Sequence, residues 1–235
     1  MNPVVALIDC RLGLEVARHL STRGDLVGLV VHPLSRRSYI DERHLNEFAC
    51  WVETWPNGLD KIRHVSPKYI LSVQFGFRLS CAWLKSASVA PLNLHPGYLP
   101  DNKGRATTAW PILDGSRAGV TLHVMNAAFD DGPYVARDEV PVYEEDTGQS
   151  LAERVEAAAL CLFKQSWPKI DELQPREQES GGAYHSLSDI QNVRLSESEI
   201  GAVKKMRARS FRDRGVRYEA DGHIYEARVI VSKVT

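Results

Sequence analysis

Three consecutive segments at the start of the chain restrict the architectures open to it. Val4 to Ile8 is a short β-branched run, Leu12 to Leu20 repeats its apolar residues at helical spacing, and Leu26 to Val31 is a second apolar run. Together they read as strand, helix, strand, and a helical crossover sets the two strands parallel in one sheet. The alternation continues. Pro33 to His44 is polar and irregular, Pro56-Asn57-Gly58 signals a turn, and Tyr69 to Phe75 reads as another buried strand. Leu92 to His95 is a strand that runs into a Pro- and Gly-punctuated loop from Pro96 to Gly104, ahead of a helical stretch from about 107 to 113. The expected class is α/β, an open twisted, mostly parallel sheet flanked by helices.

Farther along, Val120 to Met125 and Tyr134 to Val142 are strand-like runs that bracket an Asp130 turn. An amphipathic helix follows from Ser150 to about Trp167, with Ser150 as its candidate cap. Gln174 to Gly182 is rich in Pro, Glu and Gly and reads as a linker or exposed loop. Glu197 to Arg209 has a helical pattern, Arg217 to Glu219 and His223 to Val231 alternate, and Asp221-Gly222 is a hairpin turn signal. The expected division is 1–173 as the main domain, 174–186 as linker, and 187–235 as a small helix and β-hairpin appendage. The hairpin has a strand edge that needs cover, from the main domain or from a second subunit, which favours a homodimer.

Composition bears mainly on what to exclude. A formal net charge of -1 and a pI near 6.7 give no global basic field, so nucleic acid is not expected as the main ligand. Cys10, Cys50, Cys81 and Cys161 form no CxxC pair, so neither a zinc ribbon nor a disulfide framework is expected. The other histidines, His19, His32, His44, His64, His185 and His223, lack metal-ligand spacing, and no metal is expected. Neither a leader peptide nor a membrane span is indicated, and a cytoplasmic location fits the scattered thiols.

Chemistry concentrates at the end of the Leu92 strand. Asn93 and His95 alternate with Leu92 and Leu94, so both polar side chains project from one face. Asn offers a neutral donor to a developing oxyanion, His moves a proton near neutral pH, and a carboxylate such as Asp130 can orient the imidazole. That is equipment for acyl transfer. The competing reading has Asn93 and His95 capping a strand end, Asp130 and Asp131 forming a turn, and His123 as a satisfied structural histidine.

The order of segments decides between these readings. Phe75-Gly76-Phe77-Arg78, the Asn93 to Pro100 run, Lys103-Gly104, Trp110 to Gly115, Gly119-Val120-Thr121-Leu122-His123, Asp130 to Pro133 and Asp146 to Leu151 together resemble the 10-formyltetrahydrofolate-dependent formyltransferases. The resemblance implies a Rossmann-like fold and a catalytic set of Asn93, His95 and Asp130, with His123 in support. It places the folate on the loop Phe75, Gly76, Phe77, Arg78 and Leu79, with Asp130 alongside. Asp131 stands where a small residue such as Thr is more usual. Either His95 takes the proton of the attacking amine directly, or Asp130 takes it through water while holding His95; the direct route makes the rate fall on the acid side.

The acceptor follows by comparison of branches. Ile8 to Gly13 lacks the Gly-rich phosphate loop of the glycinamide ribonucleotide branch, and the tail is shorter than that of the methionyl-tRNA branch. With the first strand beginning at Val4, the N-terminal regulatory domain of the deformylases is not expected. The tail, Lys204 to Phe211 with Tyr218 and Gly222 to Tyr225, is similar to that of the nucleotide-sugar N-formyltransferases. The implied substrate is a nucleotide-linked amino-dideoxyhexose of surface polysaccharide synthesis. Tyr98, Asn102, Lys103 and Arg105 are its candidate contacts: Lys103 and Arg105 for a diphosphate, Tyr98 for stacking on a base or sugar. The alternatives are another amine, methionyl-tRNA among them, or a catalytically silent folate- or sugar-nucleotide-binding protein.

Overall fold

The computed structural model describes residues 1–33, 40–143, 146–191, 202–211, 214–220 and 223–228. Eleven strands are present: β1 (Val4–Ile8), β2 (Leu26–Val31), β3 (Trp51–Thr54), β4 (Tyr69–Val73), β5 (Ala90–His95), β6 (Lys103–Gly104), β7 (Ala118–Val124), β8 (Tyr134–Val140), β9 (Tyr184–His185), β10 (Val216–Ala220) and β11 (His223–Ala227) among the described residues. The helices are α1 (Arg11–Thr22), α2 (Glu42–Leu45), α3 (Leu59–Val65), α4 (Cys81–Leu84), α5 (Trp110–Asp114), α6 (Gly148–Ser166), α7 (Leu187–Gln191) and α8 (Ala202–Arg209).

Seven strands form one sheet in the order β3-β2-β1-β4-β5-β7-β8. β3, β2, β1, β4 and β5 are parallel neighbours, and β7 runs antiparallel to β5. The order turns back between β1 and β4, and open α/β folds take ligands outside the C-terminal ends of the parallel strands at such a point, here those of β1, β4 and β5. Every residue of β1 and β4 is buried, which explains their continuous apolar sequences. The expected α/β, mostly parallel architecture is the one observed.

Two compact units make up the chain: Met1–His95 with Thr121–Ala136 and Ala159–Gln178, and Pro96–Val120 with Arg137–Ala158 and Glu179–Thr235. In the first, Val5, Leu7, Val30, Ile62, Ile70 and Trp83 form a core, with Trp51, Trp55 and Phe75 packed around it. Trp167 is fully buried as well, its ring 5.3 Å from Phe163 and 5.4 Å from Tyr69. Its indole N–H donates to Asp25 at 3.0 Å, which also accepts from the Asn2 backbone at 2.8 Å and Arg23 at 3.0 Å. Burial alone pushes the Asp25 carboxyl up, but these hydrogen bonds outweigh it and hold it below the ordinary carboxylate range.

The second unit has its own core of Ala109, Ile112, Ala118, Val140, Leu151, Val155, Ile190 and Ala208. β6 pairs in parallel with β9, and the Trp110 ring stacks on His185 at 3.9 Å. β10 and β11 form the expected antiparallel hairpin; its turn signal at Asp221-Gly222 lies outside the described residues, as does the first part of the helix expected from Glu197.

Local details depart from expectation in two places. α6 begins at Gly148, and Thr147 rather than Ser150 caps it: Ser150 N–H donates to Thr147 Oγ1 at 3.1 Å while Thr147 N–H donates to Ser150 Oγ at 3.0 Å. The reciprocal pair satisfies two backbone donors where a single cap satisfies one. The stretch read as a 174–186 linker is not free chain: residues through Gln178 belong to the first unit, and Tyr184–His185 is a strand of the second.

Candidate active site

The site grows from the last residues of β5. Asn93 and His95 sit two positions apart, and the pleat places both on one face. β7 returns antiparallel beside them with Asn93 opposite His123 and His95 opposite Thr121. Directly opposed residues share a face, so His123 joins the pair by register alone. Asn93 Nδ2 lies 3.1 Å from His123 Nε2, and the rings of His95 and His123 meet edge to face at 6.2 Å.

His123 is buried, and its Nδ1 lies 3.2 Å from the Val124 carbonyl. A carbonyl only accepts, so Nδ1 carries a hydrogen, and in the neutral ring Nε2 is left to accept from the Asn93 amide. His123 therefore fixes which end of Asn93 is the donor. This role is more direct than the supporting one read from sequence, and the signal for it was the strand pairing.

Asp130 supplies the carboxylate. Its Oδ1 lies 3.4 Å from Asn93 Nδ2, 3.5 Å from His123 Nε2 and 3.6 Å from His95 Nδ1. One oxygen thus faces nitrogens of all three residues. The side chains of His95 and Asp130 are 5% and 13% exposed, so their attraction is little screened by solvent. Of the two contacts of the Asn93 amide, the one to Asp130 is the longer, and its hydrogen is the more readily turned to an incoming carbonyl oxygen. A donor, an imidazole and a carboxylate so arranged can stabilise negative charge on oxygen and carry a proton away from an attacking nucleophile.

The Phe75 to Leu79 loop follows β4 in the same unit. Phe75, Gly76, Phe77 and Leu79 are half-buried, and the Phe77 ring stacks on His32 at 4.7 Å and on Trp55 at 5.5 Å. Arg78 reaches the segment before Asp130: its Nη2 donates to the Ala127 carbonyl at 2.6 Å, and its guanidinium lies 4.9 Å from the centre of the Phe129 ring. Asp131 is exposed.

Tyr98, Asn102, Lys103 and Arg105 belong to the second unit. Arg105 is exposed and Lys103 half-buried on β6. Asn102 is 1% exposed, in left-handed backbone, and its amide donates to Ser116 Oγ at 3.1 Å and to the Arg117 carbonyl at 3.0 Å. Its side chain ties the loop to the 116–117 segment. Tyr98 has the guanidinium groups of Arg117 and Arg137 over its ring at 4.4 and 4.6 Å. Sequence reading missed Gln178, whose amide donates to the carbonyls of Asp130 and Gly132; nothing local in a stretch that reads as linker marks it. No group of three or more His, Cys, Asp or Glu side chains suited to a metal occurs among the described residues, and no described helix is long and apolar enough to cross a membrane.

A family profile for formyl transferase matches residues 52–165. A methionyl-tRNA formyltransferase of Lactobacillus johnsonii is 31% identical over 113 residues, a match covering 48% of this chain and 36% of the relative, so that the chain spans little more than a third of that protein's length. Among solved structures, a 4-N formyltransferase from Francisella tularensis shares the fold with a TM-score of 0.84 at 20% identity, covering 99% of each chain. The formyltransferase PseJ from Anoxybacillus kamchatkensis, solved with UDP-4,6-dideoxy-4-formamido-L-AltNAc and tetrahydrofolate, is 30% identical over 69% of this chain and 86% of its own, with a TM-score of 0.55.

Proposed function

The chain belongs to the formyltransferase family, and from that premise we propose that it transfers a formyl group from 10-formyltetrahydrofolate to the amine of a nucleotide-linked amino-dideoxyhexose. The observation that carries this reading is the convergence of Asn93, His95 and Asp130 within 3.6 Å contacts at the end of β5. The sugar nucleotide bound to the relative from Anoxybacillus kamchatkensis supports the choice of acceptor.

The 75–79 loop suits a reduced folate. Its half-buried aromatic and leucine side chains offer apolar cover to a flat heterocycle, and its backbone offers polar groups to the ring edge. Bound there, the folate supplies an electrophilic formyl carbon. Asn93, its amide oriented by His123, donates to the oxygen on which negative charge develops. His95 keeps Nδ1 toward Asp130 and exchanges a proton at Nε2, while Asp130 balances the charge the imidazole acquires. Lys103 and Arg105 are assigned to the diphosphate of the acceptor.

Surface polysaccharide synthesis, a cytoplasmic location and a homodimer built through the β10–β11 hairpin complete the reading. A methionyl-tRNA acceptor is the second reading, carried by the 31% identity to the enzyme of Lactobacillus johnsonii. One assay tests both: the purified chain with 10-formyltetrahydrofolate and dTDP-, UDP- and GDP-linked amino sugars, methionyl-tRNA and glycinamide ribonucleotide. Turnover of an amino-sugar nucleotide is expected. Efficient turnover of methionyl-tRNA or glycinamide ribonucleotide alone overturns the sugar assignment, and no turnover with any acceptor overturns the enzymatic reading.

A further inference from the structure

Resting on the catalytic role given to Asp130 above, we infer that Gln178 is a positioning residue that holds this carboxylate in its working place. Asp130 occupies left-handed backbone at φ 49°, a region that residues with a side chain enter rarely and keep only when their surroundings hold them there. The hold comes from a segment distant in sequence. Gln178 Nε2 donates to the Asp130 carbonyl at 2.9 Å and to the Gly132 carbonyl at 2.7 Å. An amide nitrogen carries two hydrogens, and both are used. The orientation of the amide is set by the two acceptors, since the flipped group would turn its oxygen against both.

Gln178 itself is delivered by a short antiparallel bridge. Tyr134 N–H donates to the Arg176 carbonyl and Arg176 N–H to the Tyr134 carbonyl, each at 2.8 Å. A Cβ on Gly132 would come within 1.8 Å of the Val124 carbonyl, and Val124 N–H donates to the Pro133 carbonyl at 2.8 Å, so the turn also lies close against the end of β7. Tied to both segments, the loop fixes the distances from Asp130 to His95 and His123. Gln178 thus acts on the reaction through the backbone of Asp130.

The test uses the full chain with Gln178→Leu, which removes both donors and leaves an apolar side chain one atom shorter. Its kcat is expected to fall roughly 10- to 100-fold, the scale of a small misplacement of a catalytic group, with both Michaelis constants within about twofold of the unaltered enzyme. In an Asp130→Ala background the same change is expected to alter kcat by less than about twofold, because its effect passes through the missing carboxylate. Gln178→Glu sets a carboxylate against the two carbonyls and carries the same expectation if the leucine variant does not fold. Backbone amide relaxation, which needs no substrate, is expected to show lower order at residues 130–132 in either variant. Unaltered kcat, an equal loss in both backgrounds, or unaltered order at residues 130–132 overturns the inference. If the unaltered chain transfers formyl to no acceptor, the functional reading fails by itself and the relaxation measurement still decides the hold on Asp130.

Discussion

Asn93 and His123 face each other across the antiparallel β5–β7 pair, with the amide nitrogen 3.1 Å from the imidazole Nε2. The contact makes His123 the group that aims the Asn93 donor. Asn93→Ala is expected to lower kcat by roughly a hundredfold or more, as loss of one oxyanion donor does, in protein of unaltered circular dichroism. His123→Phe should cost less, about tenfold, and add little to Asn93→Ala, since it works through the same amide. Steady-state rates of the two single variants and the double variant check this, and fully additive losses would remove the aiming role.

Asp130 touches nitrogens of Asn93, His95 and His123 through one oxygen. Asp130→Asn keeps the shape and removes the charge that balances a protonated His95. Turnover should fall roughly 100-fold or more while tetrahydrofolate still binds, which calorimetry reports independently of rate.

Arg78 ties the Phe75 to Leu79 loop to the segment before Asp130 through Ala127 and Phe129. Arg78→Ala is expected to raise the Michaelis constant for 10-formyltetrahydrofolate by about tenfold, the scale of one charged hydrogen bond, and leave that for the acceptor unaltered. A rise confined to the acceptor would separate Arg78 from the folate.

Lys103 and Arg105 carry the opposite expectation. Replacing either by Ala should raise the Michaelis constant for the sugar nucleotide by about tenfold, as removal of one phosphate contact does, more than that for the folate. Equal effects on both substrates would remove the assignment to a diphosphate.

Asp25 links stability to pH. Its folded carboxyl titrates below the unfolded value near 3.9, so its contribution is present above about pH 4 and is lost as pH falls through the lowered folded value. Asp25→Asn leaves one of the buried donors of Asn2 and Trp167 poorly served and should cost about 1–3 kcal/mol at neutral pH. Denaturant unfolding followed from neutral pH down to about pH 2 should show a smaller loss of stability on the acid side in the variant. Identical pH slopes would place the acid sensitivity elsewhere.

Much of this molecule is set by local pattern. Val4 to Ile8 and Tyr69 to Val73 are continuous apolar runs because strands buried on both faces expose no residue to water, and the period of two puts Asn93 and His95 on one face whatever else the chain does. The formyltransferase family, and Asn93, His95 and Asp130 as its candidate site residues, were accessible through motif order. Thr147 as cap of α6 and Asn102 as a loop-holding residue were not, because each depends on which backbone group, the Ser150 N–H in one case and the Arg117 carbonyl in the other, is left for a side chain to pair.

The working geometry belongs to the tertiary structure. His123 reaches Asn93 because β7 pairs with β5 in one register, and a shift of a single residue would turn it to the other face of the sheet. Gln178 reaches the Asp130 loop because Arg176 bridges to Tyr134, a meeting of segments that no local periodicity records. The sequence by itself determined which side chains are able to polarise a carbonyl and move a proton. Their convergence on one carboxylate oxygen was decided by strand register and by hydrogen bonds between distant segments, since these depend on how the whole chain packs.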